Sequence, residues 1–165
     1  MGANSYSPTA TVSGTFDPML VRWSDQDDRT NWVPSLTTTS GEVVLTDGTK
    51  IIGGLRSRNA IHIWTDNAMW TMQFVGPPFT FQFRLLGNNC GAISQNSMIS
   101  ENDIVYWMGR KNFFAFDGQV KEIPCSVQDF VFDGLSIQQY QKIFVAFVRQ
   151  YKEIMWFYVS NDSSD

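Results

Sequence analysis

The stretch that most constrains this chain is residues 61–86, IHIWTDNAMWTMQFVGPPFTFQFRLL. Two strand-like runs, Ile61–Trp64 and Met69–Phe74, flank the polar turn Thr65-Asp66-Asn67-Ala68, a hairpin pattern. After the breaker Gly76-Pro77-Pro78 comes a run of strict alternation. Phe79, Phe81, Phe83 and Leu85 share one face, and Thr80, Gln82 and Arg84 share the other. A period of two means a strand with one face buried and one wet, so the four apolar residues are expected in the core.

The tryptophan that closes the first of these runs recurs. Trp23, Trp64, Trp107 and Trp156 each end an apolar run, and they lie 41, 43 and 49 residues apart. A period of about 40–50 residues filled with short strands is the mark of a β-propeller, one four-stranded blade per repeat. The four residues are therefore expected at equivalent blade positions. Three periods hold between three and four blades, whereas a ring of six or more needs at least about 240 residues. The expected fold is all-β, propeller-like and incomplete. Residues 1–18 are expected to form an extended lead or loop and residues 19–165 a partial propeller.

Composition agrees with an all-β chain. Aromatic residues make up 15% of the 165, and they bury much area each. There are 12 Gly and 6 Pro to break strands. The net charge of −4 argues against tight binding of a phosphate backbone, which needs concentrated basic charge. Arg56-Ser57-Arg58 and Arg110-Lys111 are the tight basic clusters, and each falls in an expected turn. No run approaches the ~18 apolar residues of a membrane span. The N-terminal residues MGANSYSPTA lack the pattern of a signal peptide, so Cys90 and Cys125 are expected as free thiols.

Taken in order, Met19–Trp23 is the first expected strand, followed by the polar loop SDQDDRTN. Glu42–Leu45 and Lys50–Ile52 flank Asp47-Gly48 as an expected hairpin, and Gly53-Gly54 allows a bend. Ser97–Ser100 and Ile104–Met108 flank Glu101-Asn102-Asp103. Asn112–Phe116 and Gln119–Ile123 flank Asp117-Gly118, a dipeptide that supplies the positive φ of a tight turn. Residues 135–142, LSIQQYQK, suggest one short helix with Ser136 as its N-cap. Ile143–Val148 and Glu153–Val159 form the last hairpin. The latter run is apolar on both faces, so at least one of its edges is expected to be unpaired within the chain, with self-association or poor solubility as the consequence.

Residues able to carry chemistry are sparse. Asp25, Asp27 and Asp28 cluster, but without the spacing, Gly or closing Glu of a calcium loop. A solvated turn is the preferred reading. The same loop loosely resembles the Asp-box turn of sialidase-like propellers, although it lacks that turn's Gly and its Ser-x-Asp spacing. His62 is the lone histidine, alternates with Ile61 and Ile63, and is expected to face away from the buried side. With one His and no CxxC pair, a zinc site of the usual ligand type is not expected, and a Ser-His-Asp arrangement would have to use His62. No catalytic residue, metal or cofactor is expected.

Three runs carry a family resemblance: VRWSDQDDRTNW, WTDNAMWTMQFVGPPFTFQFRLLGNNCG and IVYWMGRKNFFAFDGQVKEIPCSVQDFVF. Together they resemble the propeller region of tail proteins of short-tailed double-stranded DNA bacteriophages, called tail hub, tail nozzle or packaged-DNA stabilisation proteins. The resemblance covers about residues 18–159. It implies a structural virion part, assembled in the host cytoplasm. It also implies a homohexameric ring below the portal and adaptor through which DNA passes without sequence-specific binding. No catalytic residues carry over. Gly76, Pro77 and Pro78 are the candidate subunit-contact loop. Family members are several times longer than this chain. The competing expectation is a carbohydrate-binding or sialidase-like propeller module.

Overall fold

A computed structural model of the chain describes residues 16–58 and 60–162. Most of the expected lead, residues 1–15, and the end of the tail, residues 163–165, lie outside the described residues. The fold is all-β, built from short antiparallel sheets. The first sheet pairs β1 (Leu20–Trp23) with β2 (Gly41–Val44). The second is a meander of β3 (Ile51–Arg56), β4 (Ile61–Thr65), β5 (Ala68–Gly76) and β6 (Thr80–Asn88). The third repeats that meander with β7 (Met98–Glu101), β8 (Ile104–Met108), β9 (Phe113–Phe116) and β10 (Val120–Ile123). Helix α1 (Gln128–Asp133) and a 3-10 segment, Ile137–Lys142, lead to the fourth sheet, β11 (Phe144–Val148) with β12 (Glu153–Phe157).

The sheets stack like blades, and the alternation of each strand says why. In β4, Ile61 and Ile63, with Met72 of β5, face the first sheet and form a buried cluster with Met19, Val21 and Leu45. Trp64 faces the third sheet, in a cluster with Met69, Met98, Val105, Trp107 and Phe114. Met108 and Phe113 face the other way, onto Leu135, Ile143 and Trp156. A strand whose two faces are both apolar must be covered on both, and stacking achieves that. The first strands lie together on one side of the stack, β3 against β7 and β7 against β11.

The four tryptophans are not four equivalents. Trp64, Trp107 and Trp156 each occupy the fourth residue of the second strand of their sheet, but Trp23 lies on β1, the first described strand of its own. Trp64 and Trp107 also meet across one interface, ring centroids 5.4 Å apart. Blades related by rotation would point equivalent residues the same way round, so these two differ in face. Trp107 and Trp156 do agree, each facing the preceding sheet and each donating its indole N–H to a backbone carbonyl, Cys90 and Ser97 respectively.

Other expectations are corrected. Asp47-Gly48 does not close a hairpin; β2 pairs with β1 and β3 with β4, so this turn links two sheets. Gly53-Gly54 lies inside β3, beside a register shift, and makes no bend. The short helix falls at Ile137–Lys142 as a 3-10 segment whose Ser136 side chain makes no capping bond, and α1 precedes it. Phe79 is not core. It sits in the loop between β5 and β6 and is 76% exposed, because Pro77 and Pro78 turn the chain outward before the strand begins. Phe81 and Phe83 do pack, both against Trp23 at 5.4 and 5.7 Å, and Leu85 is half-buried opposite Trp70.

Candidate functional site

The β5–β6 hairpin outgrows its sheet. β4 pairs with β5 only over Met69–Met72, so among the described residues no strand pairs with the hairpin on that side from Gln73 outward. Its overhang is apolar. Phe74 and Val75 are 57% and 47% exposed, and Pro77, Pro78 and Phe79 are exposed at the tip, with Gly76 half-buried. Gly76 has φ +80 and opens onto empty space, which lets the chain reverse there.

A second apolar surface lies on the fourth sheet. Directly opposed residues of an antiparallel pair share a face. Phe144 opposite Phe157 and Ala146 opposite Met155 therefore form one face, and Val145 opposite Trp156 the other. The Trp156 face is packed on Phe113. On the outer face Phe144 and Phe157 stack at 4.7 Å and remain nearly half exposed, as does Met155. Among the described residues β12 pairs with β11 alone, so one edge of β12 presents unpaired backbone groups.

The groups that could do chemistry are held apart. His62 is buried, not outward-facing as expected, since its face of β4 is covered by the third sheet. Its ring lies 5.2 Å from Phe116 and 6.1 Å from Trp64, and its Nδ1 has no hydrogen-bond partner. Burial holds its pKa below the ordinary value, so the imidazole is neutral at pH 7. His62 lines a cleft of about 360 Å³ with Ser57, Arg58, Thr71, Arg84 and Asp103. Ser57 Oγ donates instead to the Ala60 carbonyl at 3.1 Å, and Asp103 pairs with Arg58 at 3.4 Å. His62 hydrogen-bonds neither, so no nucleophile–base contact forms there.

The Asp25–Asp28 carboxylates fold their own loop. Asp25 Oδ1 accepts from the Thr39 hydroxyl at 2.5 Å and the Thr39 N–H at 3.1 Å. Asp28 Oδ1 accepts from the Thr30 hydroxyl at 2.6 Å and the Thr30 N–H at 2.9 Å. These hydroxyl bonds lower both pKa values. Among the described residues no three His, Cys, Asp or Glu side chains are grouped to hold a metal ion. Cys90 and Cys125 are free thiols, and burial pushes the Cys90 thiol up to about 11, which makes it a poor nucleophile.

The sequence singled out Gly76-Pro77-Pro78 but not the apolar flanks Phe74 and Phe79, because alternation alone assigns such residues to a core. The outer face of the fourth sheet had a visible signal, an apolar run on both faces, without an indication of which face stays bare. No protein-family model matches the chain, and no curated protein matches it.

Proposed function

We propose that this chain is a structural, non-catalytic component of a bacteriophage tail, assembling as a ring of identical copies below the portal and adaptor. In this reading it contributes to a channel that retains and passes DNA without reading its sequence. The observation that carries it is the fourth sheet, which combines a β12 edge unpaired among the described residues with the exposed Phe144, Met155 and Phe157. Such an edge is a template for another chain, and folded proteins that remain alone blunt or cover it. The apolar β5–β6 tip supports the reading as a second contact surface. The family resemblance supplies the kind of assembly, a homohexamer in the virion tail. The net charge of −4 suits a wall past which DNA slides. Among the described residues no helix is long and apolar enough to cross a membrane.

Native mass spectrometry of the purified chain, followed by imaging of the particles, tests this. The expected result is a ring of identical copies, six in number. A monodisperse monomer at micromolar concentration overturns it. The second reading, a carbohydrate-binding module, draws on the cleft where Arg58, Arg84 and Asp103 meet. Among the described residues no tyrosine lines that cleft. Saturable binding of an acidic sugar, lost in Arg84→Ala, would favour this reading.

A further inference from the structure

Two parts of the chain far apart in sequence bring three cations to one cleft. Lys50 stands just before β3, and Arg110 and Lys111 sit in the β8–β9 connection. The floor between them is apolar: Ile52, Ile93, Phe132 and Leu135. Ile93 and Leu135 are themselves buried members of the cluster between the third and fourth sheets, so the floor is fixed. Lys50 Nζ donates to the Tyr140 hydroxyl at 3.4 Å, and Gln128 Nε2 donates to the Lys111 carbonyl at 3.0 Å. Among the described residues the ion pairs are Arg22–Glu42, Arg58–Asp103 and Lys121–Asp117, so none of these three cations is neutralised.

The three cations stand solvent-exposed around an apolar floor, without an anionic partner among the described residues. A ligand with two parts matches both features. An inorganic anion would leave the floor uncovered, and a neutral apolar molecule would leave the charges unpaired. We propose that this cleft binds an amphipathic organic anion, with its carboxylate or phosphate among Lys50, Arg110 and Lys111 and its apolar part on Ile52, Ile93, Phe132 and Leu135. The cavity holds about 270 Å³. That is just below the usual ligand-pocket range of about 300–1,000 Å³, which limits the apolar part to a short chain or a single ring.

Calorimetric titration of the full chain with octanoate, octyl phosphate, octanol and inorganic phosphate is the test. Octanoate and octyl phosphate are expected to bind, less tightly as salt rises. Octanol and inorganic phosphate are expected to bind at least about tenfold more weakly. Lys50→Ala and Arg110→Ala are each expected to weaken octanoate by about tenfold, with an unchanged melting temperature because both side chains are solvent-exposed. The proposal fails if no probe binds, if octanol binds as tightly as octanoate, or if both variants bind like the parent. It also fails if a short DNA oligonucleotide binds there and octanoate does not, since the cations would then be phosphate-backbone contacts.

Discussion

His62 is the residue at which burial and charge conflict most directly. Its pKa lies below 6.5 because burial disfavours the imidazolium. As pH falls from about 6.5 the unfolded chain takes up the proton before the folded one does. The stability that depends on a neutral His62 is therefore present above that value and lost as pH falls toward the depressed folded value. The melting temperature is expected to hold above about pH 7 and to fall as pH drops below about 6.5. His62→Phe, which keeps a ring between Trp64 and Phe116 and removes the unpartnered Nδ1, is expected to flatten that slope. An unchanged slope in the variant would mean that other groups carry it. A second contrast belongs to the alternating run. Phe81→Ala or Phe83→Ala should cost about 2–4 kcal/mol, near the lower part of the range for buried rings because both are half-buried. Phe79→Ala should cost about 0.5 kcal/mol or less. Thermal denaturation of the three variants decides. The faces of Phe81 and Phe83 were legible because a strand's period is two. Phe79 was misread because the same parity was extended one residue past the point where the strand begins, at Thr80. His62 was misread because alternation was taken to mean one wet face, when stacking covers both faces of β4.

At the scale of elements, turn chemistry located the reversals without choosing partners. Asp47-Gly48 and Asp117-Gly118 carry the same dipeptide, and both glycines have strongly positive φ, +120 and +114. Only the second closes a hairpin, β9 with β10. The first delivers the chain from β2 to a different sheet, where β3 pairs with β4. The difference is tertiary. Thr65 Oγ1 donates to the Asp47 carbonyl at 2.7 Å, and Asp66 carboxylate oxygens accept from the Thr49 N–H and hydroxyl at 2.7 and 2.6 Å. The turn is thereby clipped to the β4–β5 corner. A local motif cannot report a partner that lies 17 residues ahead. This yields a graded prediction. A Cβ at Gly118 meets nothing within 4 Å, so Gly118→Ala suffers backbone strain alone, about 1–2 kcal/mol. A Cβ at Gly48 would stand 2.6 Å from Thr65 Oγ1 and 2.7 Å from Asp66 Oδ1. Gly48→Ala should therefore cost more than Gly118→Ala, by about another 1–3 kcal/mol. Equal midpoints in urea denaturation would mean that the clip has no effect on stability.

At the scale of the whole molecule, the stack of short sheets was legible from strand length, breakers and aromatic content, since those properties are local and repeated. Which surfaces stay bare was not, because an apolar residue reads the same whether its cover comes from its own chain or from a neighbour. The two bare surfaces differ in extent. On the β5–β6 tip the free edge of β5 beyond Met72 is short and its register is irregular near Gly76. Among the described residues the fourth sheet offers apolar side chains together with unpaired N–H and C=O groups along the whole of β12. Backbone pairing adds directional bonds to apolar burial, so the fourth sheet is expected to dominate self-association. Met155→Lys with Phe157→Lys places two charges on its outer face while leaving the Trp156 face on Phe113 intact. Lysines on an exposed edge are a common protection against pairing. The double variant should therefore sediment as a monomer where the parent associates, with a melting temperature close to the parent monomer's. Phe79→Lys at the hairpin tip should weaken association less. If the double variant associates like the parent while Phe79→Lys becomes monomeric, the hairpin is the contact and the β12 edge is not. If both variants associate undiminished, neither surface joins the copies and the ring loses its physical basis.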